Sequence, residues 1–282
     1  MHLELAREHR PRLPHPARRR LARERRRFRR GVYLLPSALT LGNLFCGYLC
    51  VVYSIRGEFG TAAPFVAISV LLDILDGRIA RLTGTTSEFG LEFDSLADVI
   101  SFGLAPAILT VSWGLSPLGR LGWAAGFIFV TAGAIRLARF NIQTNTDKRF
   151  FVGLPIPAAA SVAASTVYVY PEGLQTTQAA FPALALLIVP AVLMVSTVKF
   201  RSFKSFDLRA RRSYTVLFLL ALIIVAIAIQ PRWTLLVMAY TYLLSGLVGM
   251  VATRVRRRNR PAEPLPAETP PADAPPDPPP AG

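Results

Sequence analysis

The sequence predicts an all-α polytopic membrane protein with about eight transmembrane helices. Its 282 residues are 52% hydrophobic with a mean hydropathy of +0.40, and apolar stretches of about 20 residues, enough to cross a bilayer, recur along the chain. Their continuous apolar character, without a two-residue alternation, favours helices over a membrane β-barrel. The predicted spans lie at about 34–55, 61–80, 95–113, 121–138, 154–171, 178–198, 214–230 and 233–253.

The positive charge is concentrated in the tails and in a few loops. Twelve arginines precede Val32, and five more lie within 254–260. An even number of spans places both tails on one side, together with the loops near 81–94, 139–153 and 199–213. The positive-inside rule makes that side cytoplasmic. We therefore expect a multi-pass protein of the cell membrane with cytoplasmic termini, whose basic tails contact anionic membrane lipids rather than nucleic acid.

The chain divides into four regions by composition. Residues 1–33 form an Arg-rich cytoplasmic arm that we expect to be disordered. Residues 34–205 form the predicted catalytic transmembrane core of six helices, and 206–253 add two helices that we expect to be peripheral. Residues 254–282 are basic and then rich in Pro and Ala, a composition that cannot build a packed core and predicts disorder.

Histidine and cysteine chemistry is excluded by position. His2, His9 and His15 all lie in the N-terminal tail, so no predicted span contains a histidine. Cys46 and Cys50 lie four residues apart in the first span, where we expect them to pack rather than to bind metal. The chemistry of the predicted membrane core therefore depends on carboxylates.

Four aspartates interrupt apolar sequence at fixed spacing, in the pattern Asp-x2-Asp-Gly-x2-Ala-Arg-x8-Gly-x3-Asp-x3-Asp from Asp73 to Asp98. An ionisable group at membrane depth costs about 2.5–3.5 kcal/mol on insertion scales, so these carboxylates need compensation. The i, i+3 spacing of Asp73 and Asp76 places them on one helical face. A turn over 81–93 would bring Asp94 and Asp98 to the same place, and two Mg²⁺-type cations would neutralise all four charges.

The same pattern leaves three interpretations open. Two metals close together suit an in-line displacement at phosphorus, where Gly77 and Gly90 would permit close approach and Arg81 would bind phosphate. Alternatively, Arg78, Arg81 and Arg136 could pair with the aspartates as structural ion pairs. A divalent-cation transporter would use similar ligands, but the ionisable residues cluster at the cytoplasmic ends of the spans instead of continuing across the membrane.

The aspartate pattern resembles the signature of the CDP-alcohol phosphatidyltransferases, and every signature position matches. The resemblance implies a six-helix membrane core, a homodimer, a site open to the cytoplasm, and transfer of a phosphatidyl group from a CDP-lipid to an alcohol with release of CMP. It further implies that Asp73, Asp76 and Asp94 ligate two Mg²⁺ or Mn²⁺ ions, with Asp98 at the second ion and acting as general base. The residues implied to shape the CDP pocket are Gly77, Ala80, Arg81 and Gly90.

Further segments are similar to the membrane-integral bacterial and archaeal phosphatidylserine synthases, a resemblance that covers about 34–205. It implies CDP-diacylglycerol and L-serine as substrates. The segments that carry it are 39–47, 89–106, 136–141, 151–157 and 198–204.

The acceptor-binding residues are less constrained by the sequence. Arg136, Arg139 and Asn141 could hold the serine carboxylate or a lipid phosphate, or the two arginines could extend from a helix end to the membrane surface. Asn43, alone among apolar residues, is either an interhelical hydrogen-bond donor or a pocket donor. Glycerol 3-phosphate and inositol phosphate are alternative acceptors, which would require a denser cationic pocket than serine.

Overall fold

The computed structural model of the chain describes residues 36–84, 87–142, 150–196, 199–201 and 213–258. The predictions for the N-terminal arm and for the tail after Arg258 lie outside these residues. The elements in chain order are α1 (Pro36–Ile55), α2 (Phe59–Thr83), α3 (Glu88–Asp98), a π-helical segment (Val99–Leu104), α4 (Ala105–Thr110), a second π-helical segment (Val111–Leu115), a 3₁₀ turn (Ser116–Leu118), α5 (Arg120–Ile142), β1 (Phe150–Val152), α6 (Ile156–Val169), α7 (Thr177–Val195), β2 (Lys199–Arg201), α8 (Ser213–Ile229) and α9 (Pro231–Arg258).

A helical segment lies at each of the eight predicted spans. The third of them corresponds to the stretch from α3 to the 3₁₀ turn, which forms one unbroken span, Glu88–Leu118. Five segments of the described chain are long and apolar enough to cross a membrane: α1, α2, Glu88–Leu118, α5 and α7. α6 and the Leu217–Ile229 part of α8 are apolar but shorter. The predicted fold class, an all-α polytopic membrane protein, is confirmed, whereas the number of eight crossings stays a prediction.

The connection between α2 and α3 is much shorter than the turn expected over 81–93. α2 continues to Thr83 and ends at Gly84, whose φ of 62° lies in the left-handed region that favours glycine. The Oγ of Ser87 then accepts a hydrogen bond from the Gly90 N–H at 3.0 Å and caps the start of α3. The expected length of the turn is therefore wrong, because α2 ends at Gly84 and α3 is capped by Ser87, both inside the expected turn.

The span Glu88–Leu118 lies at the centre of the bundle. It has the largest buried share, 61%, among the five candidate spans. Two π-helical segments interrupt it, and the first begins directly after Asp98. π-helical turns are rare and recur at functional sites. Their position here had no signal in the sequence.

The buried core lies where this central span meets α5, α6 and α7. Phe102, Phe129 and Leu187 are fully buried within it. Small residues allow the helices to approach closely, as is common between membrane helices. At Gly133 of α5, an added Cβ would lie 2.5 Å from Cδ1 of the buried Ile156 on α6, so any larger residue would require Ile156 to move.

Two short strands join the loops that flank α6 and α7. β1 pairs with β2 in antiparallel register, with Phe151 opposite Phe200. The pairing brings the chain before α6 and the chain after α7 to the same end of the bundle. This arrangement agrees with the prediction that the loops near 139–153 and 199–213 lie on one side.

The last two helices differ in how they pack. On α8, most apolar side chains are exposed, including Leu217, Phe218 and Leu219. α9 instead packs along α6 and buries Ala239. The hydroxyls of Tyr240 and Thr166 also form a hydrogen bond of 2.9 Å between these two helices. The expectation that both helices are peripheral therefore holds for α8 and is wrong for α9, because one face of α9 is matched to α6.

Candidate active site

The aspartates of α2 lie in the last three turns of that helix. Asp76 is 4% exposed and Asp73 is half-buried. The hydroxyl of Thr40 on α1 donates a hydrogen bond to Oδ2 of Asp76 at 3.1 Å. An uncharged hydroxyl from a neighbouring helix, rather than an arginine, therefore orients this carboxylate.

α3 carries the second pair of aspartates. The Ser87 cap fixes the start of the helix, and Asp94 and Asp98 follow four residues apart, which places them on neighbouring turns of one face. Asp98 is 7% exposed, and Asp94 is half-buried. The short connection after α2 holds both pairs at the same end of the bundle, as the sequence predicted.

Three of the four carboxylates converge on one point. Asp73, Asp76 and Asp94 each offer an oxygen atom, and these atoms all lie within 4.8 Å of one another. Oδ1 of Asp94 is buried without a hydrogen-bond partner among the described residues. Clustered carboxylates repel each other unless a cation lies between them, and hard divalent cations prefer such oxygen ligands. This donor set therefore fits Mg²⁺ or Mn²⁺.

Asp98 lies beside this cluster and has a different environment. Its Oδ1 accepts a hydrogen bond of 3.2 Å from Nδ2 of Asn43 on α1. It remains within electrostatic range of Asp73 and Asp94. The fourth carboxylate is thus held by an amide side chain next to three that face each other.

Asn43 also joins three helices through its backbone. Its carbonyl oxygen accepts hydrogen bonds from Ser69 of α2 at 3.2 Å and from Ser101 of the central span at 2.9 Å. Close packing supports this junction, because a Cβ at Gly47 would lie 2.6 Å from Oγ of Ser101. Both interpretations of Asn43, interhelical hydrogen bond and pocket donor, are compatible with this position. Its Oδ1 is buried and has no partner in the described part of the chain.

Arg136 of α5 is the buried cation of the site. It is 9% exposed, and its Nε has no hydrogen-bond partner within the residues that the structure describes. It interacts electrostatically with Asp98 and with Tyr242 of α9. A nearly buried guanidinium with an unused N–H can bind an anion in a planar, directional way.

The other two residues predicted with Arg136 lie elsewhere. Arg139 is exposed. Nδ2 of Asn141 donates to Oγ of Ser95 at 3.0 Å, which ties the end of α5 to α3. The structure therefore separates a predicted group of three into one buried side chain and two at the surface.

The residues predicted to shape a nucleotide pocket lie on the exposed side of the carboxylates. A Cβ at Gly77 would meet only Nη2 of Arg81, at 3.8 Å, so open space lies over this part of α2. Ala80 is half-buried and Arg81 is exposed. Gly90 has a local reason to be glycine, since a Cβ there would lie 3.0 Å from Oγ of the capping Ser87.

Sequence reasoning missed three contributors to this site: Thr40, Ser101 and Tyr242. Thr40 could have been found, because Thr40, Asn43 and Gly47 follow a spacing of three and four that defines one helical face. Ser101 and Tyr242 are common residue types in apolar helices, and the sequence carries no signal for which way they face.

Residues 33–200 match the family described as CDP-alcohol phosphatidyltransferase. A Helicobacter pylori (strain J99) protein named CDP-diacylglycerol–serine O-phosphatidyltransferase is 40% identical over 231 residues, 80% of this chain and 94% of that protein. The protein of that name from strain 26695 is 41% identical over 223 residues, 77% of this chain and 91% of the other. An archaetidylserine synthase of Methanothermobacter thermautotrophicus is 40% identical over 171 residues, covering 59% of this chain and 69% of that protein.

Proposed function

The chain belongs to the CDP-alcohol phosphatidyltransferase family, and on that premise we propose that it transfers the phosphatidyl group of CDP-diacylglycerol to the hydroxyl of L-serine, giving phosphatidylserine and CMP. The two Helicobacter proteins named for that activity support the assignment, because their similarity extends over 80% and 77% of this chain. The single observation in this chain that carries the serine acceptor is the buried Arg136 beside Asp98.

Asp73, Asp76 and Asp94 would hold two divalent cations, Mg²⁺ or Mn²⁺, and Asp98 would be the fourth carboxylate of the metal site. The support for this set is the convergence of the first three carboxylates within 4.8 Å and the unused buried Oδ1 of Asp94. Bound divalent cations would neutralise the carboxylates and the diphosphate of the donor lipid. The hydroxyl of Thr40 keeps Asp76 in the orientation that such ligation needs.

The cytidine diphosphate part of the donor lies over the α2 face that carries Gly77, Ala80 and Arg81. Open space over Gly77 allows the diphosphate to approach the helix closely, and the adjacent Arg81 guanidinium supplies complementary charge. Gly90 contributes by fixing the start of α3, because its N–H donates to the capping Ser87.

Asp98 acts as the general base. Its carboxylate accepts the proton of the serine hydroxyl as the serine oxygen forms a bond to the phosphatidyl phosphorus, and the bond from that phosphorus to the CMP oxygen breaks. CMP leaves with the electron pair of that bond, and Asp98 later releases its proton to water. Asn43 positions the base, because its Nδ2 holds one carboxylate oxygen and leaves the other available.

Arg136 binds the carboxylate of serine and so places the serine hydroxyl next to Asp98. A single buried guanidinium suits one carboxylate, whereas glycerol 3-phosphate or inositol phosphate would bring more negative charge. Arg139, the neighbouring cation on α5, is exposed and adds no second buried charge. Membership of this enzyme family also counts against the divalent-cation transporter considered from the sequence.

The experiment that tests the proposed function is CMP release by the purified full-length protein in detergent. CDP-diacylglycerol and Mn²⁺ or Mg²⁺ are supplied with L-serine, glycerol 3-phosphate or inositol phosphate in parallel. We expect CMP release that depends on serine and on the metal, with phosphatidylserine as the lipid product. CMP release with another alcohol alone would overturn the serine assignment, and no release with any alcohol would overturn the reaction.

The site and both termini face the cytoplasm of the cell membrane in this proposal, and the protein forms a homodimer. The meeting of the loops around β1 and β2 at one end supports a common side for them. Cysteine labelling of intact cells at each terminus and chemical crosslinking in membranes test sidedness and dimer formation. Labelling of a terminus from outside the cell would contradict the first, and only monomers after crosslinking would contradict the second.

A further inference from the structure

A cavity of about 410 Å³ lies between α2, α6 and α9. It belongs to neither the carboxylate cluster nor the nucleotide face described above. Its walls are almost entirely apolar, and the helix that closes it, α9, lies outside the matched family region 33–200. A volume of this size is in the range of small-molecule binding sites.

The cavity continues the face of α2 that carries the proposed nucleotide site. The α2 residues that line it include Ala63, Val70 and Ile74. The spacing from Val70 to Ile74, Gly77 and then Arg81 is four, three and four residues, so all of them lie on one helical face. From Ala63 to Ile74 this face is about 16 Å long, at the rise of an α-helix. A ligand whose head lies over Gly77 can therefore extend an apolar chain along the same face into the cavity.

α6 and α9, which form the walls opposite α2, extend along the same direction as this face of α2. At the end near Ile74, the cavity is lined by Pro155, where α6 begins, and by Tyr242 of α9. At the far end it is lined by Tyr168 of α6. The guanidinium of Arg232 lies 5.3 Å from the ring centre of this tyrosine and marks the polar end of the cavity. Between the two ends, Ser161 of α6 and Ala239 of α9 are small residues that leave room for a chain.

We propose that this cavity holds one acyl chain of the donor lipid and that α9 is the element that sets which chain lengths the enzyme accepts. The proposal rests on the proposed function, since it takes CDP-diacylglycerol as the ligand. The occupant follows from the continuity of the α2 face: a polar diphosphate site leads directly into an apolar cavity, which matches the two parts of one lipid molecule. A separate bilayer lipid would not need that continuity.

The test compares donors that differ only in chain length. CMP release with serine is measured for dioctanoyl and dipalmitoyl CDP-diacylglycerol in the wild type, in Ala239→Leu, and in Ser161→Leu on the opposite wall. Because one or two methyl groups in an apolar pocket change selectivity by about tenfold or more, we expect kcat/KM for the dipalmitoyl donor to fall by about tenfold in both variants. The value for the dioctanoyl donor should stay within about twofold of the wild type, and this activity also reports that each variant is folded.

Thr241→Leu is the matched control, because Thr241 is exposed on the other side of α9. It should leave the ratio between the two donors unchanged. Equal loss for both donors in Ala239→Leu and Ser161→Leu, or an unchanged ratio in two active variants, would overturn the proposal and indicate a non-substrate lipid in the cavity. A wild type that releases no CMP with either donor would instead overturn the proposed function, so the two failures are distinguishable.

Discussion

Three aspartates of the site face each other, and the fourth accepts a hydrogen bond from an asparagine and lies within electrostatic range of an arginine. Asp73, Asp76 and Asp94 present oxygens within 4.8 Å of one another. Asp98 lies beside them but receives a hydrogen bond from Asn43 and the electrostatic influence of Arg136. Identical side chains, spaced regularly along the sequence, therefore have two different environments.

The difference follows from which helix supplies the neighbours. The three clustered carboxylates come from the facing ends of α2 and α3, where an oxygen of each lies within 4.8 Å of those of the other two. Asp98 is one turn deeper along α3, where Asn43 of α1 donates a hydrogen bond to it and Arg136 of α5 is within electrostatic range. Depth along a single helix thus separates a group suited to ligating cations from a group suited to exchanging a proton beside a bound acceptor.

Loss of a ligand from the cluster should have the largest effect. Asp94→Asn removes one negative charge from the carboxylates that would share the cations, and we expect no detectable CMP release together with loss of Mn²⁺ binding measured by calorimetry. Thr40→Val is a milder change, since it removes only the hydrogen bond to Asp76, and outer contacts of this kind are worth about 10- to 100-fold. Mn²⁺ binding by Asp94→Asn equal to the wild type would remove this aspartate from the ligand set.

Loss of the fourth carboxylate should break turnover in a different way. Asp98→Asn should lower kcat by about 10²–10⁴-fold, the usual contribution of a general base, while binding of CDP-diacylglycerol in the presence of metal stays measurable. Donor binding can be followed by protection against thermal unfolding. A near-normal kcat in Asp98→Asn would show that the proton leaves by another route, and the contrast between the two carboxylate environments would lose its chemical meaning.

A smaller effect is expected at the acceptor. Arg136→Gln removes the buried positive charge, and a hydrogen bond to a charged group contributes about 1.5–3 kcal/mol. We therefore expect the KM for serine to rise by about 10- to 150-fold, with the KM for CDP-diacylglycerol unchanged. Arg139→Gln is the matched control, because it alters an exposed arginine three residues away on the same helix. Equal KM values for serine in the two variants would argue against Arg136 as the carboxylate ligand.

The sequence predicted the parts of this site that depend on spacing within one helix. The helical faces of Asp73 with Asp76 and of Asp94 with Asp98 follow from i, i+3 and i+4 geometry. The meeting of α2 and α3 follows from the turn between them. Spacing could not separate Arg136 from Arg139, because burial depends on the neighbouring helices and not on the residue type.

Contacts between distant helices were the part that the sequence could not supply. The role of Tyr242 depends on how α9 packs along α6, and a run of apolar residues is compatible with many rotations of a helix about its axis. The positions of the eight apolar segments, by contrast, were predictable, because they depend only on length and composition. The caps at Gly84 and Ser87 could have been predicted from the sequence, but the many Thr, Ser and Gly residues there favoured the prediction of a longer turn.

The π-helical segment Val99–Leu104 fixes how α3 is rotated about the helix axis relative to the rest of the central span. Each residue of an α-helix turns the chain by about 100°, so the wider winding after Asp98 changes the direction in which all preceding side chains point relative to those that follow. A π-helical turn contains about one residue more than an α-helical turn, so if the same residues wound as an ordinary α-helix, with none removed, Phe102 and the core below it would hold α3 rotated by about that angle. The carboxylates of Asp94 and Asp98 would point away from α2, although every aspartate of the pattern would still be present in the chain.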